Sequence, residues 1–157
     1  MPATGRVLGL IVGVFAVLGV ALGASGYLAM EWAREQFVVA AGGTTPGQFG
    51  PVFVALVAFQ TTVSQFLIGT AVAAVVGVMA GSRFAVPRTA GLVAAAGSLT
   101  GFYLMGLIAV LCLSLVGGPG TGQVYSVGQA FGPLAMGGVP AAVAGGAGGV
   151  AGAALVR

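Results

Sequence analysis

Four uncharged apolar runs dominate this chain, and each is long enough to cross a bilayer. They occupy residues 7–30, 51–80, 90–116 and 133–156. A helix crosses the hydrocarbon with about 20 residues. Backbone N–H and C=O groups find no water there, so a spanning run of this kind must be helical. A membrane β-barrel needs short alternating segments, and these runs do not alternate. The expected fold is an all-α integral membrane protein, one domain with four transmembrane helices. The second run would reach about 45 Å at 1.5 Å per residue, so it should tilt or project.

Composition excludes the soluble alternative. Charged residues make up 4% of the chain and hydrophobic residues 59%, whereas a soluble domain carries about a quarter charged residues. Lys, His, Asp and Asn are absent. The net charge of +3 comes from Arg6, Arg34, Arg83, Arg88 and Arg157 set against Glu31 and Glu35. These arginines stand singly at the ends of runs. They read as membrane-surface anchors and not as a nucleic-acid footprint. The partners expected are membrane lipids, other membrane subunits or further copies of the chain, with no nucleic acid.

Charge asymmetry also predicts orientation. Four spans put both termini and the 81–89 segment on one side, with Arg6, Arg83, Arg88 and Arg157. The other side holds Arg34 between two glutamates. The positive-inside rule then places both termini in the cytoplasm. Tyr27, Trp32, Phe37, Phe49, Tyr125 and Phe131 would form an aromatic belt on the outer side. The first run resembles a secretory signal in its leading Arg6 and its "ALGA", but its apolar core is long for that role, so a retained span is expected.

Small residues supply the packing signals. Gly5, Gly9 and Gly13, then Gly19 and Gly23, lie at spacings of four in the first span. Gly97 and Gly101 do so in the third. Such small-xxx-small stripes let helices approach closely. In the second span Thr61, Gln65, Gly69, Ala73, Gly77 and Gly81 fall on one stripe. The fourth span has Gly145, Gly149 and almost no large side chain, so in a Gly/Ala-packed bundle it should be wedged between helices or sit at an oligomer axis. Pro140 removes a backbone donor, and a kink is expected near Met136 and Gly137. The third span has Phe102, Leu104, Met105, Ile108 and Leu111, bulk expected to face lipid or another subunit.

"FGP" ends both outer segments, at 49–51 and 131–133, and at the same offset "RVLGL" faces "RTAGL". Two tandem helical hairpins would give this echo. About ten identities over the whole offset is near what so Gly- and Ala-rich a chain yields by chance. "GP" is explained without duplication if proline begins each helix, where its missing N–H costs nothing. Both segments, 42–50 and 117–132, are expected to pack against protein or headgroups.

Catalytic chemistry finds no foothold. Catalysis needs groups that titrate or coordinate, and no span carries His, a Cys pair or a carboxylate pair. No catalytic residue, metal ligand or cofactor site is expected, and Cys112 reads as a small buried hydrophobe. Glu31, Arg34 and Glu35 make an ion pair at the outer surface. Gln60, Thr61, Ser64 and Gln65 are polar within a span, where an unpaired amide is costly. They are expected either to bond between helices or to line a path for solute. Two functions follow as expectations. The first is a non-catalytic structural or assembly subunit of a membrane complex, whether respiratory, secretion or virion. The second is an oligomeric channel for small, uncharged or weakly hydrated solutes.

Overall fold

The computed structural model describes residues 2–36, 45–115 and 127–156. These form four helices: α1 (Pro2–Arg34), α2 (Thr45–Gly81), α3 (Pro87–Ser114) and α4 (Val127–Leu155). All four are long and apolar enough to cross a membrane, and no strand occurs among the described residues. The protein is an all-helical, four-span bundle.

The helix starts differ from the sequence reading. α2 begins at Thr45 and α4 at Val127, so Gly50–Pro51 and Gly132–Pro133 lie inside helices and do not open them. Pro46 stands at the second position of α2, where a missing N–H is harmless. Pro51 comes later, as the seventh residue of α2, and leaves the Gly47 carbonyl without its usual donor. Of the two segments expected to be packed loops, 45–50 and 127–132 are therefore helical. Residues 37–44 and 116–126 lie outside the described residues. α3 does start on a proline, Pro87, after an extended Val86 (φ −111°, ψ 113°). α4 runs unbroken through Pro140, which sits on its exposed side.

Glycine contacts set the helix directions. A side-chain carbon on Gly97 would lie 3.0 Å from Ile11 Cδ1, one on Gly19 2.8 Å from Met105 Cα, and one on Gly23 2.8 Å from Cys112 Cβ. These pairs advance together, so α1 and α3 run parallel. Gly77 meets Gly145 and Gly81 meets Gly149, so α2 and α4 also run parallel. The packing follows the order α1, α3, α4, α2. α1 touches α2 over a shorter stretch, and α1 and α4 do not touch among the described residues. The two hairpins are therefore packed unequally, the second closely and the first loosely.

Large side chains fill the holes that glycines leave. Phe15, Phe102, Ile11 and Met105 are fully buried and carry the core with Ala73 and Ala141. This corrects the expectation that Phe102 and Met105 face outward. Phe102 packs over Gly69 of α2 and Gly137 of α4 and meets Phe66 edge-to-face at 5.8 Å. Leu111 does face outward, and Leu104 and Ile108 are half-buried. α4 is wedged between α2 and α3 on its glycine faces, but it also turns Val139 and Val143 outward.

Candidate functional site

The polar stripe of α2 divides when it folds. Thr61, Gln65, Gly69, Ala73, Gly77 and Gly81 are all buried, because a step of four keeps them on the face turned to the bundle. Gln60 lies on the exposed side and Ser64 is half-buried. The four polar residues therefore do not converge on one surface. Among the described residues, the centre of the bundle is filled by Ile11, Phe15, Phe102 and Met105.

Their hydrogen bonds are local. Thr61 Oγ1 donates to the Val57 carbonyl at 2.9 Å and Thr62 Oγ1 to the Ala58 carbonyl at 2.9 Å. Thr70 does the same toward Phe66. The interhelical bonds expected of this stripe are thus replaced, for the threonines, by bonds to the preceding turn of their own helix. Thr61 still touches another helix, because a carbon added to Gly26 of α1 would lie 3.0 Å from its Oγ1. Gln65 is 4% exposed and its Nε2 has no partner. It lies between Thr61, which faces α1, and Gly69, which faces α3. An unpaired buried amide costs about 1–3 kcal/mol.

A second buried polar group escaped the sequence reading. Ser98 of α3 is fully buried and its Oγ has no partner. Gly145 crosses against it so closely that a side chain on Gly145 would strike that oxygen. Its neighbour Gly97 marks a small-residue pair, the one sequence signal that points here. A cross-helix bond does occur nearby, from Tyr103 Oη to the Ala135 carbonyl at 3.3 Å.

The glycines of the sequence stripes do not share one fate. Gly69, Gly77, Gly97, Gly101, Gly145 and Gly149 are buried, and each meets another helix. Gly148 and Gly152 add close approaches to the α2 backbone at Ala74 and Val78. A side-chain carbon on Gly5, Gly9 or Gly13 would meet nothing within 4 Å among the described residues. Beside Gly13 a groove of about 460 Å³ opens between α1 and α2, lined by Gly13, Val14, Val17, Leu18 and Val72. Its lining is wholly aliphatic or glycine, so it offers no hydrogen bond to a polar solute.

Charge is confined to the helix ends. Arg34 pairs with Glu31 at 3.0 Å, one turn apart, and Glu35 is exposed. Trp32 is largely exposed and Tyr27 half-buried near that end. The side chains of Phe37, Phe49, Tyr125 and Phe131 lie outside the described residues. No group of three potential metal ligands exists among the described residues.

Fold and site together define the class: a multi-pass, all-helical membrane bundle. Comparison of the chain with protein-family models, with curated proteins and with solved structures finds no match.

Proposed function

We propose that this chain is a non-catalytic structural or assembly subunit of a larger membrane complex. The observation that carries the reading is the split of the glycines along α1. Gly19, Gly23 and Gly26 are filled by side chains and backbone of α2 and α3, whereas Gly5, Gly9 and Gly13 meet nothing. Glycine inside a helix costs about 1 kcal/mol relative to alanine. In a membrane that cost is recovered where another helix packs against the glycine. Three such residues in a row therefore suit a helix from outside this chain.

The test is the mass of the particle extracted in mild detergent or in native nanodiscs. A particle heavier than one chain, reduced to one chain by Gly9→Leu, is expected. A lone chain in every gentle extraction counts against the reading.

The buried Gln65 amide favours a second reading, a conduit for small uncharged or weakly hydrated solutes. Its Nε2 has no partner in the core. Solute flux into liposomes decides between the readings: flux abolished by Gln65→Leu supports a conduit, and no flux above empty liposomes removes it.

A further inference from the structure

Among the described residues, one end of the bundle carries positive side chains and no acidic ones. Arg6 near the start of α1 and Arg83 and Arg88 around the α2–α3 turn are all exposed. Among the described residues their side chains make no ion pair or hydrogen bond. The acidic side chains, Glu31 and Glu35, stand near the other end of α1. Twenty-five residues of helix separate Arg6 from Glu31, which is about 40 Å. That is several Debye lengths at physiological salt, so the acids do not neutralise the arginines. Helix dipoles do not either: two helices start and two end here, and their end charges cancel.

Two of the arginines, Arg83 and Arg88, flank an apolar turn. Phe84 packs against the core cluster that includes Val7 and Ala80, closing the bundle. The turn is held by bonds from Arg83 N to the Ala80 carbonyl at 3.1 Å and from Phe84 N to the Gly81 carbonyl at 3.0 Å. Val86, between Phe84 and Arg88, is 54% exposed. An aromatic and an aliphatic residue thus sit between two guanidiniums, which suits the boundary between hydrocarbon and headgroups. The Ile11–Gly97 contact fixes the register of α1 on α3. By that register Arg6 lies about one helical turn deeper than Arg88 on the neighbouring helix. Guanidinium binds phosphate oxygens in a two-pronged geometry that ammonium does not reproduce, and every base in this chain is Arg.

We propose that Arg6, Arg83 and Arg88 form a recognition surface for the phosphate groups of anionic phospholipids. Phosphatidylcholine carries a choline cation beside its phosphate, whereas an anionic headgroup leaves the phosphate charge free for the arginines. Each arginine at an anionic surface is worth about fivefold in binding.

The experiment uses the full chain in detergent micelles doped with equal phosphatidylglycerol and phosphatidylcholine. Native mass spectrometry reads the retained lipid, and the unfolding midpoint is followed in parallel. Preferential retention of phosphatidylglycerol, about tenfold or more, is expected. R83Q/R88Q should abolish the preference, and R34Q, at the opposite end, should leave it intact. Raising salt to about 1 M, where the Debye length falls to about 3 Å, should erase the preference in the unmodified chain. Equal retention of the two lipids overturns the proposal, as does preference that survives both R83Q/R88Q and high salt. Displacement of the lipid by millimolar inorganic phosphate would also overturn it, in favour of a soluble phosphate ligand.

Discussion

Gly145 lies against Ser98 so closely that a methyl group on the glycine would collide with the serine Oγ. The same glycine turns its carbonyl toward Gly77 on the other side. α4 is thus pinched at one residue between α2 and α3. Gly145→Ala should lower stability by about 1–3 kcal/mol, the usual cost of overfilling a packed interior. A denaturant titration of the full chain in mixed micelles measures it. A midpoint equal to that of the unmodified chain would mean the helices can separate at no cost.

Ser98 should respond in the opposite direction. Its hydroxyl is fully buried without a partner, so it carries a desolvation cost with no return. Ser98→Ala removes the hydroxyl and leaves the Cβ in place. The same titration should show a gain of about 1 kcal/mol. A loss would show that the hydroxyl has a partner in the membrane-embedded protein.

The two halves of α1 should behave differently toward alanine. A Cβ at Gly9 would meet nothing within 4 Å among the described residues, whereas at Gly23 it would meet Cys112 Sγ at 2.9 Å. Gly9→Ala should stabilise the single chain by about 0.5–1 kcal/mol through helix propensity alone. Gly23→Ala should destabilise it. Thermal melts of both variants, followed by helical circular dichroism, give the comparison. Equal shifts would mean that α1 does not pack on α3 as described.

The Arg34–Glu31 pair should matter little. Its side chains are 31% and 25% exposed, and such partly solvated pairs contribute about 1 kcal/mol or less. Glu31→Gln should shift the unfolding midpoint by no more than that, and high salt should shrink the difference further. A drop of several kcal/mol would reveal a structural role for the pair.

Much of the architecture could be read from small residues and little of it from large ones. The stripe from Thr61 to Gly81 was legible because a step of four fixes one helix face whatever surrounds it. Gly97, Gly101, Gly145 and Gly149 signal close approach for the same reason. The inward positions of Phe102 and Met105 were not legible. In a membrane the outside of a helix is as apolar as the inside, so bulk and hydrophobicity do not distinguish lipid from core. Only the holes at Gly69 and Gly137, on two other helices, assign Phe102 its place. The helix starts were not legible because Pro51 and Pro133 also fit a second position, nearly two turns inside a helix that has already begun. The division of Gln60 from Gln65 follows from the stripe, but the lack of a partner for Gln65 depends on what the neighbouring helices present.

Where α2 meets α4, at Gly77, Gly81, Gly148 and Gly152, one backbone rests on another with no side chain between them. A contact of this kind freezes no rotamers when it forms, because glycine has none to lose. It also leaves no flexible side chain to absorb a displacement, so sliding one helix past the other requires the two backbones to part. α2, α4 and the interlocked α3 should therefore move as one stiff body. Any breathing of the bundle then falls to the seam between α1 and α2, the looser of the two hairpin contacts.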